Sequence, residues 1–302
     1  MIDAALLDRV VRRLTVALAP PVGPLWPFRV DGRTVGEIDP PRALALARFP
    51  DVFAVGAGDV RFAPHLTDAA SRTAAAAMVA RALADEGRLS PWRGERYAVG
   101  SQPDGTPLFL LERAAARYFG IRTFAVHING SMRRDGDAAM WIARRSPHKA
   151  IDPGLLDNLV GGGIAAGATI AETLAKEAWE EAGLPAALTR TARPVGTLEI
   201  RRAQPDGLQV ETIFVHDLDL PNDTVPTNQD GEVVSFRVCS PDEAARLAAN
   251  ESGPEVVTAD ASLVIVDWLM RHDHVPLGTD AWDALDCLRH GERPGAAPPP
   301  RM

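Results

Sequence analysis

The chain has 302 residues, 46% hydrophobic and 24% charged, the composition of an ordinary globular protein and a length that predicts two domains. Its 32 Lys and Arg against 40 Asp and Glu leave a formal net charge of −8. That sign repels phosphate backbones, so nucleic acid is not an expected partner, and any anionic substrate must be met by metal ions or a local basic patch.

In chain order, Leu6, Leu7, Val10, Val11 and Leu14 recur at helical spacing and predict an amphipathic helix over 5–18, ended by the Pro-rich stretch Pro20–Pro27. A strand pair is expected over Phe28–Ile38, turned at Asp31-Gly32, then a short helix from Pro41 to Ala47. Ala69–Ala84 is alanine-rich without Gly or Pro and reads as a helix. Tyr97–Val99 and Leu108–Leu111 flank a turn and predict a second hairpin. No chemical motif stands out in these first 120 residues. Beyond Ile121, strands are expected at Thr123–Asn129, Ala139–Arg144, Val195–Ile200, Gln209–Asp217 and Val233–Cys239. Helices are expected at Thr169–Ala182, stopped by Gly183, at Pro241–Ala249 with Ser240 as N-cap, and at Ala261–Arg271 and Asp280–Arg289. The division that follows is an α/β domain over 1–120, a second α/β domain over 121–290, and a Pro/Gly-rich disordered tail over 291–302.

Cys239 and Cys287 lie far apart, outside any metal-ligand spacing, so neither a disulfide framework nor a zinc site is expected. The opening lacks the apolar core of a signal peptide and no run of ~18 apolar residues follows, so the expectation is a cytoplasmic protein without a membrane span. Oligomeric state leaves no signal in the sequence.

The informative segment is GGGIAAGATIAETLAKEAWEEAGL, residues 161–184. On a helix, Glu180 falls about 60° to one side of Glu177 and Glu181 about 40° to the other, so three carboxylates share an arc of about 100°. Like charges at that spacing destabilise a helix by a few tenths of a kcal/mol per pair, a term a divalent cation reverses. Hard oxygen ligands of this kind suit Mg²⁺, or Mn²⁺ in its place. The preceding Gly161, Gly162 and Gly163 let backbone approach phosphate oxygens closely.

This segment resembles the Nudix box, G-x5-E-x7-R-E-U-x-E-E-x-G-U with U aliphatic. Its first Gly aligns with Gly162, its E-U-x-E-E core with Glu177–Glu181 and its end with Gly183-Leu184. Ala168 and Lys176 replace the early Glu and the Arg, a pair that commonly bond each other in the family. Glu172, four residues before Lys176, is expected to take over that pairing. The resemblance implies a mixed-sheet α/β/α sandwich preceded by a smaller α/β domain. It also implies an Mg²⁺-dependent hydrolase of a diphosphate bond, with Glu177, Glu180 and Glu181 holding the metal and the glycine backbone lying against the phosphates.

A narrower resemblance rests on WIARRSPHKAIDPGLLDNLVGGGIAAG, HINGSM, DGEVVSF and ASLVIVDWLMRH. These are similar to a subgroup with an extra N-terminal domain that includes the Nudix part of fungal thiamine pyrophosphokinase-like proteins and plant relatives. It implies hydrolysis of thiamine diphosphate, especially its oxidised oxo- or oxy-forms, to the monophosphate and phosphate. The alternatives are a pyrophosphatase of ADP-ribose or another nucleoside diphosphate derivative, and a non-catalytic Nudix-fold metabolite sensor.

Arg144, Arg145 and Lys149 precede the glycine segment and are candidates for the local positive charge at the substrate phosphates, against the plain reading of a solvated basic loop. Glu232 follows a turn; the resemblance implies an additional metal ligand or catalytic base, against an edge-strand glutamate. His127 and Asn129 read first as satisfied structural residues. Trp26, Trp92, Trp141 and Trp179 read as packing residues, Trp179 directed away from the carboxylate face, the functional alternative being one ring facing a thiazolium cation.

Overall fold

The structure is a computed structural model and describes residues 1–100, 102–134 and 136–294, so the expected tail from residue 295 onward lies outside the described residues. Helix α1 (Ala4–Ala17) starts at Asp3, whose carboxylate accepts from the Ala5 N–H at 3.0 Å. Strands β1 (Trp26–Val30) and β2 (Arg33–Ile38) form the expected hairpin. Asp31 and Gly32 both carry positive φ, 49° and 78°, as a two-residue turn between twisted strands requires. Then come α2 (Pro40–Ala45), β3 (Phe53–Val55), β4 (Val60–Phe62), α3 (Ala69–Asp85), β5 (Arg96–Val99), β6 (Phe109–Glu112) and α4 (Ala116–Phe119). Strands β3 and β4 are three residues each, too short to leave a period in the sequence, yet they complete a four-stranded sheet in the order β2-β1-β4-β3. Its core is a knot of Phe28, Phe53, Phe62, Phe109 and Phe119, with ring centroids such as Phe62–Phe109 5.1 Å apart.

The second sheet contains β7 (Arg122–Arg134), β8 (Asp137–Arg145), β9 (Leu156–Asp157), β10 (Val160–Gly163), β11 (Arg193–Gln204), β12 (Gly207–Asp219) and β13 (Val233–Cys239). The main path runs β11-β12-β7-β8-β13, with β10 paired to β7 and β9 to β8. The β7–β12 pair is parallel and the other strand pairs are antiparallel, so the sheet is mixed as expected. Helix α5 (Ile170–Ala182) covers one face, packing Leu174, Ala178 and Ala182 on Phe124, Val126 and Ile128. The short α6 (Ala186–Thr189) follows it. Against the other face lie α7 (Pro241–Ala248), α8 (Ala259–Arg271) and α9 (Asp280–Arg289), burying Met140, Ile142, Leu198, Ile200, Ile213 and Val215. The expected α/β/α sandwich is therefore present.

Helix α1 joins this second face. Its stripe of Leu6, Leu7, Val10 and Leu14 belongs to the core built by α7–α9, and buried Arg13 donates to Ser262 Oγ at 2.7 Å and to the Ala248 carbonyl at 3.2 Å. The β1–α4 segment also touches the second sheet: the Ala166 N–H donates to the Arg96 carbonyl at 2.8 Å, linking β5 to the loop after β10. Among the described residues no helix is long and apolar enough to cross a membrane.

Candidate active site

Helix α5 is set by its ends. Thr169 Oγ1 accepts from the Glu172 N–H at 3.2 Å, while the Glu172 carboxylate accepts from the Thr169 N–H at 2.9 Å and its hydroxyl at 2.8 Å, a reciprocal cap. This corrects the expected Glu172–Lys176 pair: Glu172 is already committed to the helix N-terminus. Lys176 Nζ turns forward instead, donating to Glu177 Oε1 at 2.9 Å and Glu180 Oε2 at 2.8 Å. At the other end Gly183 stops the helix in the left-handed conformation, φ 65°. The loop before β13 is tied to that end by the Thr227 N–H to the Ala182 carbonyl (2.9 Å) and the Gln229 N–H to the Glu180 carbonyl (2.8 Å). That tether brings Glu232 to the site.

The three helix carboxylates differ in depth. Glu180 is 37% exposed at its side chain, Glu177 15% and Glu181 7%. Trp179 is 53% exposed and so points away from the sheet without packing there. Glu181 Oε2 accepts from the Gly161 N–H at 2.9 Å, and its Oε1 lies 3.4 Å from Lys149 Nζ, which also pairs with Glu232. Burial pushes the Glu181 carboxyl up to about 8, with Lys149 and the Gly161 N–H only partly opposing it. Burial raises Glu177 as well, against Lys176. At Glu232 burial is outweighed by the Lys149 hydrogen bond and charge, so that carboxyl stays below its ordinary value.

The glycine strand β10 is built for close approach. A Cβ on Gly162 would stand 2.4 Å from Glu177 Cγ and Cδ, and one on Gly163 would stand 2.4 Å from the Tyr97 hydroxyl. Any side chain at either position displaces a residue of the site. On the other side of Gly161 lies the His127 ring, whose Nδ1 is 2.8 Å from Asn158 Oδ1; Asn158 in turn donates to buried Asn129 at 3.3 Å. His127 thus has the structural partner expected of it and also borders the cavity described next.

Gly161, Gly162 and Gly163 line a cavity of about 200 Å³ between β10 and the β5–α4 segment, together with Arg145, Lys149 and Glu232. Arg145 is held by Asp157 (2.6 Å) and the Ile151 carbonyl (2.9 Å). Arg144 is absent from this lining, which corrects its assignment to substrate. Its guanidinium bonds the Gly154 and Pro254 carbonyls and Glu255, because adjacent residues of a strand point to opposite faces. Sequence reasoning passed over Arg93, Tyr97, Arg113, Arg117 and Glu211, which complete the walls. None carries a motif; Tyr97 reads simply as a strand aromatic. None of Trp26, Trp92, Trp141 and Trp179 lines the cavity.

The donor set suits a hard divalent cation. Glu177 and Glu180 already share one ammonium, Lys176, and Glu181 and Glu232 share another, Lys149, so cations stand between carboxylates at both places. Two of those four carboxyls are raised by burial, a strain that a bound cation relieves. Among the described residues no three His, Cys, Asp or Glu side chains are gathered tightly enough to hold a metal as they stand. The fit is therefore one of donor chemistry.

Comparison with known proteins accounts for this arrangement. Residues 123–260 match the NUDIX domain family, and residues 22–123 match a domain of unknown function, DUF4743. Nudix hydrolase 24, chloroplastic, of Arabidopsis thaliana is 36% identical over 274 residues, 90% of this chain and 74% of the relative. Nudix hydrolase 20, chloroplastic, of the same plant is 36% identical over 279 residues, 89% of this chain and 74% of the relative. A solved protein from Deinococcus radiodurans is 26% identical, covering 56% of this chain and 97% of its own, at a TM-score of 0.41. With an acidic helix bonded through Glu181 to Gly161 of a glycine strand that lines the cavity, and relatives matched along most of its length, the chain belongs to the Nudix hydrolases, enzymes acting on pyrophosphate bonds, and carries an N-terminal DUF4743 domain.

Proposed function

We propose that this protein hydrolyses the diphosphate of a small organic substrate, thiamine diphosphate or one of its oxidised oxo- or oxy-analogues, to the monophosphate and phosphate. The observation that carries the reading is the cavity's mixed charge. Arg93, Arg113, Arg145 and Lys149 suit an anionic diphosphate, while Asp152, whose carboxylate has no side-chain partner among the described residues, suits a cationic or hydrogen-bond-donating organic end. A substrate with both ends meets both, and the sequence resemblance points to the same class. Nudix hydrolases generally use a divalent cation, typically Mg²⁺. Here Glu177, Glu180 and Glu181 would hold it, with Glu232 as a further ligand or a base. When bound, the cation supplies charge neutralisation at the diphosphate oxygens and polarises phosphorus.

The chain's own residues do the rest. Gly161–Gly163 present bare backbone to the phosphates, Lys149 holds Glu181 and Glu232 together, and the DUF4743 segment closes the cavity over them. The same proposal takes residues 1–120 as a substrate-recognition domain and 121–290 as the hydrolytic one, corrected for helix α1, which packs into the core of the hydrolytic unit because its apolar stripe is buried against α7–α9. Cys239, buried, and Cys287, half-buried, are both unpaired, which supports a reducing, cytoplasmic setting.

The test is product release with Mg²⁺ from thiamine diphosphate, its oxy-analogue, ADP-ribose, NADH and a nucleoside triphosphate, a phosphatase being coupled for ADP-ribose and NADH. Turnover of the thiamine pair, reduced ~10²-fold or more in Glu181→Gln, is the expected result. Turnover confined to the nucleotides would reject the thiamine assignment. Metal binding without turnover of any substrate would favour a sensor.

A further inference from the structure

The DUF4743 segment faces the glycine strand with two arginines. Arg93 sits in the turn before β5, and that turn is fixed from beneath: the Arg93 and Gly94 N–H groups donate to Glu112 Oε1 at 2.9 and 3.3 Å, and Glu112 is only 4% exposed. A buried carboxylate accepting two backbone N–H groups is a firm anchor. The Arg93 guanidinium borders the cavity, half-buried, and among the described residues its side chain has neither an ion-pair nor a hydrogen-bond partner.

Arg113 borders the same cavity. Its NH1 donates to Glu95 at 2.6 Å, its Cζ lies 5.6 Å from the Tyr97 ring centroid, and that carbon is 3.4 Å from where a Cβ on Gly163 would stand. Burial first, and the charge of Arg113 next, hold the Arg93 guanidinium below its ordinary value, so the two cations repel within reach of one another. The neighbouring carboxylates are occupied elsewhere: Glu211 accepts from Thr123 and Gln209, and Glu232 from Lys149. Like charges held together on a cavity wall, one of them without a counterion, call for an anion.

We propose that Arg93 and Arg113 are substrate-binding residues supplied by the DUF4743 domain, gripping the oxygens of the diphosphate from across the cavity opposite Gly161–Gly163. The inference rests on the diphosphatase reading of the site and gives the N-terminal domain a definite part in it. Each guanidinium offers a planar fork that matches two phosphate oxygens, which an ammonium does not. The active site is then shared between the domains, joined by the Ala166–Arg96 backbone bond.

The experiment uses full-length protein and the variants Arg93→Ala, Arg113→Ala and Arg113→Lys, with Arg61→Ala, an exposed arginine outside this cavity, as control. Inorganic pyrophosphate is titrated calorimetrically with Mg²⁺ present, folding is checked by thermal melting, and KM and kcat are measured on whichever panel substrate is turned over. Losing a charge-assisted contact predicts roughly 10- to 100-fold weaker pyrophosphate binding in each alanine variant. KM should rise by a similar factor, Arg113→Lys should recover part of the loss, and Arg61→Ala should match the parent. Folded alanine variants with parental affinity and KM would overturn the assignment, as would a parent protein that fails to bind pyrophosphate. A parent that binds pyrophosphate through these arginines but hydrolyses nothing in the panel would instead reject the substrate reading and leave the arginine site standing.

Discussion

Replacing Glu181 by glutamine separates the strain at this site from its chemistry. The residue is 5% exposed, and burial pushes its carboxyl from 4.5 up to about 8. A carboxyl raised in the folded state costs no stability below about pH 4.5, where folded and unfolded chains both hold the proton. The cost grows as pH rises toward 8 and is constant above it. At pH 7 it amounts to about 3 kcal/mol at most. Glutamine keeps an acceptor for the Gly161 N–H and has no charge to desolvate. In EDTA, Glu181→Gln should therefore be more stable than the parent at pH 7–8 by ~1–3 kcal/mol, worth roughly 2–4 °C in Tm for each kcal/mol. Near pH 4.5 the two should melt together. Saturating Mg²⁺ should raise the parent's Tm and leave the variant's nearly unchanged. Melting curves from pH 4.5 to 8.5, with EDTA or Mg²⁺, measure all of this. A variant less stable than the parent at pH 8 in EDTA would refute the reasoning, because the Lys149 ion pair would then outweigh the cost of burial and Glu181 would be a structural partner.

Two further substitutions test the site's edges. Gly162→Ala places a Cβ 2.4 Å from Glu177 and should lower kcat by ~10²-fold through displacement of that carboxylate; unchanged kcat in a folded protein would show Glu177 is dispensable. Arg144→Ala should leave KM and kcat alone while costing about 1–2 kcal/mol in denaturant unfolding, since it loses bonds to the Gly154 and Pro254 carbonyls; a raised KM would return Arg144 to the substrate.

The carboxylate cluster was legible in the sequence because a helix has a period: spacings of three and four residues put Glu177, Glu180 and Glu181 on one side whatever the tertiary context. The Gly183 stop and the Asp31-Gly32 turn were legible for a similar reason, since each answers a local backbone demand. The Thr169–Glu172 cap is also written in the sequence as T-x-x-E, a local signal that commits Glu172 to the helix N-terminus ahead of Lys176.

What local pattern cannot carry is a choice between faces or partners. Arg144 and Arg145 are equivalent as adjacent basic residues; strand pairing alone turned one toward Asp157 and the cavity and the other toward Glu255. The stripe on α1 announces that it will be buried, but not that it will be buried against helices more than two hundred residues away, where Arg13 meets Ser262. Arg93, Tyr97 and Arg113 have no motif because their place opposite Gly163 arises from the packing of one domain against the other. Helical period and turn geometry act over a few residues and are decided by the chain itself. The cavity's charge pattern depends on contacts between distant segments, and only the folded arrangement brings those together.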